Sequence, residues 1–122
     1  MHNIVLCVII ENMKEELQEA YKNQMRKGML EFCTLLIIEN EEAYATKILE
    51  ELKIANLIVV EGTLYPLLSR LKTQGLLDYR WEESKSGPPR KYYELTHEGK
   101  KTVSQLKEIW KELIGSVNSL IK

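Results

Sequence analysis

The chain has 122 residues, 44% of them hydrophobic, and a formal net charge of −1; this length and composition suit one compact domain and exclude a chain that stays disordered. Its two cysteines come with no spaced set of Cys and His, which excludes a zinc module and a secreted disulfide scaffold and predicts a reducing, cytoplasmic location. The apolar run at residues 4–10 is too short to cross a bilayer and follows no basic leader, so we expect neither export nor a membrane span.

The charges are unevenly distributed along the chain. Residues 1–61 contain six Lys or Arg and eleven Asp or Glu, whereas residues 62–101 contain eight and five. Neutralising the phosphates of a nucleic acid needs clustered cations. The net charge of −1 does not reveal such a cluster, because it sums over the whole chain. The basic excess in the middle of the chain therefore indicates where a nucleic acid would bind.

The spacing of apolar residues predicts three helices in the first half of the chain. Residues 14–27 carry one apolar stripe between charged residues and predict an amphipathic helix, which Gly28 ends. Residues 29–40 are apolar almost all round and predict a helix buried on several sides. After a short turn at residues 40–43, residues 44–53 carry one apolar face and predict a second core helix.

A further helix is predicted to begin at Glu61 and to end at Gly75, because glycine is favoured just after a helix. Pro66 lies near its start, where a missing backbone donor costs little or causes a slight kink. A spacing of i, i+3, i+4 and i+7 predicts its buried face, which comprises Leu64, Leu67, Leu68 and Leu71.

A β-hairpin and a long helix are predicted to complete the fold. Residues 77–82 alternate apolar and charged side chains as a half-buried strand does, residues 84–89 form a turn-rich loop, and residues 90–95 form a second strand. Thr96 is predicted to cap a final helix that runs nearly to the end. That helix carries a heptad stripe, which predicts the interface of a homodimer and comprises Val103, Leu106, Trp110, Leu113, Val117 and Leu120.

This order of elements predicts a mainly α fold with a small β-hairpin, a winged helix-turn-helix with an N-terminal helix and a long C-terminal dimerisation helix. We divide the chain into an uncertain apolar segment at residues 1–12, a winged-helix DNA-binding domain at residues 13–96 and a dimerisation helix at residues 97–122. The first segment is a strand that pairs with a partner, a disordered tail, or translated upstream sequence if Met13 is the natural start. We favour an adventitious or loosely packed segment.

Three segments of the sequence resemble a known protein family, which the order of elements alone would not identify. They are Tyr44–Ile48 (YATKI), Glu61–Leu68 (EGTLYPLL) with Arg70-Leu71 and Gly75-Leu76, and Gly87–Thr96 (GPPRKYYELT) with Gly99. With these motifs at this separation, residues 28–122 closely resemble the PadR family of transcriptional regulators, in the short subclass with a single C-terminal helix, and are similar to its multidrug-binding members.

The resemblance implies a repressor of a nearby promoter that dimerises through its last helix. In many members of the family a small aromatic or cationic compound releases the protein from DNA. The sequence departs from the family at two positions. Ala45 stands where the family usually has Gly, and Val60 stands where it often has a Ser that caps the next helix, a cap whose loss costs about 1 kcal/mol.

If the four leucines face the core, the polar residues of the helix at 61–75 face outwards and are candidates to contact DNA; they are Thr63, Tyr65, Pro66, Ser69, Arg70 and Lys72. We expect Thr63 and Tyr65 near the base edges or the backbone, and Arg70 and Lys72 at phosphates. Three more candidates flank the hairpin loop, which a glycine and two prolines stiffen, and should approach phosphates or the minor groove; they are Lys85, Arg90 and Lys91.

Each candidate has a plainer interpretation. A single cation such as Arg70 or Lys72 is often only a solvated surface residue. Tyr65 could instead pack partly under the hairpin with its hydroxyl exposed. Tyr92 and Tyr93 point to opposite faces of a strand, so at least one of them should belong to the core.

Trp110 lies within the heptad stripe, at the position that resembles the tryptophan which stacks planar drugs in the multidrug-binding relatives. A pair of such rings would suit a planar hydrophobic or cationic effector, and Met25 and Leu17 are candidates to line the same cavity. The alternative is that Trp110 fills a wide part of the dimer core, and ordinary packing is the favoured explanation for Met25 and Leu17.

The sequence offers little to an enzyme. Its two histidines, His2 and His97, have no acidic partner in a motif, and there is no phosphate-binding glycine loop, so we expect no catalytic residue, no metal and no cofactor. The expected partners are therefore double-stranded DNA with a palindromic operator and a second copy of the chain. The alternative is a winged-helix adaptor that binds a protein or a ligand, and a steep salt dependence of DNA affinity would argue against it.

Overall fold

The computed structural model describes residues 2–57 and 59–122, and Met1, the first residue of the uncertain N-terminal segment, lies outside the described residues. The chain divides into two compact units, with the boundary between Leu30 and Glu31. The elements in chain order are α1 (His2–Arg26), α2 (Leu30–Asn40), β1 (Ala43–Tyr44), α3 (Ala45–Ile54), α4 (Glu61–Thr73), β2 (Leu77–Ser84), β3 (Gly87–Leu95) and α5 (His97–Leu120).

The first unit consists of α1, which begins twelve residues before the predicted start at Lys14. Residues 2–12 are helical, so the alternatives of a strand and a disordered tail are wrong for this segment. A short apolar run reads equally as strand or helix, and here no Gly or Pro separates it from the amphipathic helix that follows, so the helix propagates through it. The turn at Gly28 is confirmed, with the Met29 backbone N–H donating to the Arg26 carbonyl oxygen at 2.8 Å.

The second unit has one apolar core, to which α2, α3, α4, β2 and α5 all contribute. Its fully buried side chains include Leu35, Ile48, Leu52, Leu64, Leu68, Leu71, Leu77 and Val103. Each buried leucine contributes about 1.5–3 kcal/mol relative to an exposed one. The burial of Val103 corrects the assignment of this residue to the dimer interface, because a side chain that is fully covered within its own subunit offers no surface to a partner.

Left-handed residues end the two helices of the helix-turn-helix. Gly75, with φ +81°, follows α4, and the Leu76 backbone N–H donates to the carbonyl oxygen of Leu71 at 3.0 Å. Asn56, with φ 61°, follows α3 in the same left-handed conformation. These Schellman turns satisfy the last carbonyl groups of each helix. The prediction that Gly75 ends α4 is therefore confirmed.

The wing, defined as β2 and β3 together, is an antiparallel hairpin with Leu77 opposite Leu95 and Tyr79 opposite Tyr93. The predicted hairpin is confirmed, but the sheet has a third strand, because β1 pairs with β3 on its other side and gives the order β1-β3-β2. We predicted a turn for Ala43 and the start of a helix for Tyr44, because a strand of two residues is too short to show alternation.

The tip of the wing is tighter than predicted. The turn is the pair Lys85-Ser86, and Gly87–Pro89 already belong to β3. Pairing is irregular between Glu82, which lies opposite Arg90, and Ser84, which lies opposite Gly87. The two intervening prolines, Pro88 and Pro89, have no N–H to donate to the ladder, which accounts for a bulge at this place.

The start of α5 is fixed to the end of α4. Thr96 caps α5 as predicted, its Oγ1 accepting from the Gly99 N–H at 2.9 Å and donating to the Gly75 carbonyl oxygen at 2.6 Å. A Cβ on Gly99 would overlap the carbonyl oxygen of Leu76. Only glycine allows this close approach, so α5 begins directly against the turn that closes α4.

None of the helices within residues 2–57 and 59–122 combines the length and the apolar character that a bilayer-spanning segment needs.

Candidate nucleic-acid interface

The outer face of α4 is the polar surface that the sequence predicted. Its four leucines are buried, which turns the opposite face to solvent. All six predicted DNA-binding residues of this helix are exposed, namely Thr63, Tyr65, Pro66, Ser69, Arg70 and Lys72. Their exposure is confirmed, and their contact with DNA stays a prediction.

Both cations of α4 have carboxylate partners. Arg70 Nη2 lies 3.4 Å from Glu31 Oε2, and Lys72 Nζ lies 3.4 Å from Asp78 Oδ1. The pKa of Asp78 is lowered first by the backbone N–H of Tyr79, which donates to it at 2.8 Å, and then by Lys72. All four side chains of these two ion pairs are largely solvent-exposed, and exposed ion pairs are weak, so a phosphate can replace the carboxylate at little cost.

The wing cations are held by aromatic rings. The guanidinium carbon of Arg90 lies 4.3 Å from the centroid of the Tyr44 ring. Lys91 Nζ lies 4.5 Å from the ring of Tyr79 and 5.5 Å from that of Trp81. Arg90 and Lys91 are adjacent in β3 and so point to opposite faces of the sheet. On these faces Arg90 meets a ring of β1, and Lys91 meets two rings of β2. The third predicted wing cation, Lys85, is exposed at the turn.

An open cleft of about 280 Å³ lies between α4 and the wing. Tyr65 and Ser69 of α4 line it together with Arg90 and Lys91 of the wing, so the structure brings together four of the nine predicted DNA-binding residues. Among the others, Thr63, Pro66 and Lys85 are exposed away from this lining.

Two aromatic residues of the cleft, Tyr44 and Trp81, were missed. Trp81 was placed on the buried face of an alternating strand, but the core covers that face only at Leu77 and Tyr79, and Trp81 is 62% exposed. Tyr44 was placed in a helix, whereas it lies in β1, where its hydroxyl donates to Glu82 Oε2 at 3.1 Å and this bond raises its pKa. An exposed aromatic residue beside basic residues would have been the signal for Trp81.

The two adjacent tyrosines of β3 divide as the alternation predicted. Tyr93 is buried, its ring centroid 5.9 Å from that of Tyr79, and burial raises its pKa. Tyr92 is half-buried, with its ring 4.9 Å from that of Tyr44. Tyr93 is therefore the core residue of the pair.

A second arginine of the sheet, Arg80, is part of an ionic network. It lies 3.1 Å from carboxylate oxygens of both Glu42 and Glu82 and 3.5 Å from that of Glu94. The hydrogen bond with Glu42 is the largest cause of its raised pKa. Arg80 is therefore already paired with three carboxylates of the protein itself.

The apolar stripe of α5 is largely open to solvent beyond Val103. Leu106 is half-buried, and the rest of the predicted stripe is exposed, namely Trp110, Leu113, Val117 and Leu120. The Trp110 ring is 40% exposed and lies 6.5 Å from the ring of Phe32 in α2. The other two candidate effector contacts, Leu17 and Met25, are exposed on α1, and their place in an effector site stays a prediction.

Within residues 2–57 and 59–122, no group of three or more His, Cys, Asp or Glu is arranged to hold a metal ion. His97 lies exposed in the first turn of α5.

A family model and several solved structures point to the same family. Residues 34–105 match the sequence model of the transcriptional regulator PadR-like family. Among solved structures, a PadR-like transcription factor from Bacteroides fragilis is 56% identical, with a TM-score of 0.70 over 83% of this chain and 98% of its own. A PadR-like transcriptional regulator from Bacillus cereus is 37% identical, with a TM-score of 0.72 over 81% and 97%. A PadR family transcriptional regulator from Eggerthella lenta is 30% identical, with a TM-score of 0.81 over 90% and 96%.

Proposed function

Because the chain belongs to the PadR-like family of transcriptional regulators, we propose that it is a cytoplasmic, sequence-specific DNA-binding repressor of a nearby promoter. The observation that carries the proposal is the exposed polar face of α4 beside the wing cations, with one cleft shared between them. A helix of this kind fits the major groove, where base edges carry a distinct pattern of donors and acceptors. The wing then approaches the neighbouring backbone. In this complex α4 is the recognition helix.

The proposed repressor acts as a homodimer through α5. The exposed stripe from Trp110 to Leu120 would cost free energy in water, and a second copy buries it against the same stripe. A dimer also presents two recognition helices to the two halves of a palindromic operator, about 34 Å apart along the DNA. Residues 97–122 are thus the proposed dimerisation helix, with the exception of Val103.

A small planar aromatic or cationic compound relieves repression in this proposal. Its support is Trp110, a half-open ring within the dimer stripe that rests beside Phe32. Two such rings, one from each subunit, would sandwich a flat ligand. In the Trp81→Phe variant the remaining tryptophan is Trp110, and the planar cation proflavine should quench its emission. The Trp110→Ala variant should show no saturable binding of proflavine. Equal proflavine binding by the Trp81→Phe and Trp110→Ala variants would contradict the effector site.

The test of DNA binding is a titration of the purified protein against a labelled fragment of its own upstream DNA at two salt concentrations, with scrambled DNA as competitor. We expect saturable binding that weakens steeply with salt and that the scrambled DNA does not displace. Equal binding to both DNAs, or none to either, would contradict the proposal and favour an adaptor that binds a protein or a ligand.

A further inference from the structure

We propose that Arg80 and Tyr44 are positioning residues, which hold the carboxylate of Glu82 away from Arg90 and so keep the charge of Arg90 available to DNA. The role of Arg90 at DNA rests on the proposed function. The arrangement within the protein does not depend on DNA, because it consists of contacts among side chains of the sheet.

The residues of this arrangement share one face of the three-stranded sheet. Glu82 of β2 lies opposite Arg90 of β3, and Arg80 lies opposite Tyr92. On the other side of β3, Tyr44 of β1 also lies opposite Tyr92. Residues that face each other across antiparallel strands have their Cβ atoms about 4.5–5.5 Å apart and their side chains on the same face. Each of the five side chains is therefore within reach of the next.

Glu82 is the ion-pair partner that the register offers to Arg90. Opposite charges that face each other across two strands attract, so a pair of these two residues would be expected. In the described parts of the chain, however, Arg90 takes part in no salt bridge. Its guanidinium carbon lies instead 4.3 Å from the centroid of the Tyr44 ring. The Glu82 carboxylate must therefore be held elsewhere.

Both carboxylate oxygens of Glu82 are occupied. Arg80 Nε donates to Oε1 at 3.1 Å, and the Tyr44 hydroxyl donates to Oε2 at 3.1 Å. Hydrogen bonds to an ionised carboxylate are stronger than those between neutral groups. The bond to Glu82 also raises the pKa of Tyr44, so the hydroxyl keeps the proton that it donates. Arg80 is itself fixed, with its guanidinium carbon 4.5 Å from the centroid of the Tyr92 ring.

Tyr44 acts on both members of the missing ion pair. Its hydroxyl binds the anion, Glu82, while the face of its ring attracts the cation, Arg90. A ring holds a cation in place without neutralising its charge. Loss of the hydroxyl, or of Arg80, frees one oxygen of Glu82 to bind Arg90. A phosphate would then have to displace that carboxylate.

The register singles out Glu82 among the three carboxylates that Arg80 binds. Glu94 lies opposite Asp78, further from the wing tip, and Glu42 precedes β1. Only Glu82 of these three lies opposite Arg90. Substitution of Arg80 should therefore act on Arg90 through Glu82, and removal of the Glu82 charge should cancel the effect.

The first measurement is the affinity for the shortest duplex that the wild-type protein protects in its own upstream DNA, by fluorescence anisotropy. Arg80→Gln should weaken binding by about three- to fivefold, the range of one exposed ion pair. It should also lower the salt slope by up to about 1, because Arg90 no longer replaces a counterion. Tyr44→Phe keeps the ring and should weaken binding by about twofold. It provides the same test if Arg80→Gln does not fold.

A second substitution separates this explanation from a change in net charge. Added to Arg80→Gln, Glu82→Gln should restore the affinity to within about twofold of the wild type, because an amide does not neutralise Arg90. Glu83→Gln is the matched control, since it removes the same charge from the adjacent residue of β2, on the opposite face of the sheet. Added to Arg80→Gln, it should restore nothing.

The Nε–Hε resonance of Arg90 tests the arrangement without DNA. The chain has four arginines, so this resonance of ¹⁵N-labelled protein can be assigned by its loss in Arg90→Gln. It should shift in Arg80→Gln, where Glu82 binds Arg90. It should move back towards the wild-type position when Glu82→Gln is added, and stay shifted when Glu83→Gln is added.

The outcomes separate this inference from the proposed function. Failure of the wild-type protein to bind DNA would overturn the proposed function, while a shift of the Arg90 resonance in Arg80→Gln would still support the hold on Glu82. The inference alone is overturned if the wild-type protein binds DNA but the Arg90 resonance is the same in Arg80→Gln. It is also overturned if Glu83→Gln restores the affinity of Arg80→Gln as well as Glu82→Gln does.

Discussion

Lys72 of α4 and Lys91 of the wing place their Nζ atoms over the same ring, that of Tyr79, at 5.6 Å and 4.5 Å from its centroid. The two elements that we propose to approach DNA therefore share one small region of positive charge. Among the residues that the structure describes, Lys72 has a carboxylate beside it, that of Asp78, and Lys91 has none. In the proposed complex Asp78 would therefore compete with DNA for Lys72.

We predict that Asp78→Asn raises DNA affinity by about two- to fivefold, because the phosphate no longer displaces a carboxylate from Lys72. The gain should be larger at low salt. The low pKa of Asp78 keeps its carboxylate ionised across about pH 5–8, so the gain should not change over that range. Glu83→Gln, the same charge change at an exposed site of the wing, is the control for a titration by fluorescence anisotropy. Equal gains in both variants would show that only net charge matters.

We predict that Val60→Ser stabilises the protein by about 1 kcal/mol. Val60 is the N-cap of α4, is 68% exposed and makes no capping bond with its side chain. Its carbonyl already accepts from the Thr63 N–H at 3.0 Å, so a serine hydroxyl at this position is well placed to accept from the same donor. Val60→Ala, which cannot cap, should leave the free energy of unfolding in urea nearly unchanged. A serine variant no more stable than the alanine variant would contradict the prediction.

The two ends of the α5 stripe should respond differently to truncation. Val103→Ala removes fully buried carbon and should lower the free energy of unfolding by about 1.6 kcal/mol or more, with little effect on the dimer dissociation constant. Val117→Ala, at a side chain that is 54% exposed in the subunit, should weaken the dimer by roughly tenfold, since each dimer loses two contacts. Urea unfolding and sedimentation equilibrium separate the two effects. Equal weakening of the dimer by both variants would place Val103 at the interface after all.

Gly99→Ala should destabilise the protein by about 1–3 kcal/mol, because the added Cβ overlaps the carbonyl oxygen of Leu76. Gly115→Ala in the same helix meets no atom and should instead stabilise it by up to about 1 kcal/mol. Thermal unfolding of the two variants compares them directly. The same sign for both would mean that helix propensity alone sets the stability change, with no contribution from the close approach of Gly99 to Leu76.

The outward face of α4 was predictable because four leucines at helical spacing leave no choice of buried side. How far the core extends along β2 and α5 was not predictable. Val103 belongs to the same stripe as Val117, and Trp81 to the same alternation as Tyr79, yet periodicity tells which way a side chain points and not how far the neighbouring elements extend.

Contacts between residues that are distant in the chain were also not predictable. Glu31 precedes Arg70 by 39 positions, and β1 reaches β3 across the whole of α3 and α4. Such contacts depend on how the elements pack, and one sequence alone does not record that packing. The resemblance of Glu61–Leu68 and Gly87–Thr96 to a family supplied the function where residue patterns gave only a fold.

The bulge at Pro88-Pro89 separates the wing into a fixed base and an interchangeable tip. At the base, Tyr92 pairs with strands on both sides, and this double pairing sets which way Arg90 and Lys91 point. Insertions or deletions at the tip, beyond the bulge, change the length of the wing but leave Arg90 and Lys91 on the same faces of the sheet. Loss of a single residue between Arg90 and Tyr92 would instead move the Arg90 side chain to the opposite face. We therefore expect regulators of this family to carry wings of different length with these two cations on the same faces of the sheet.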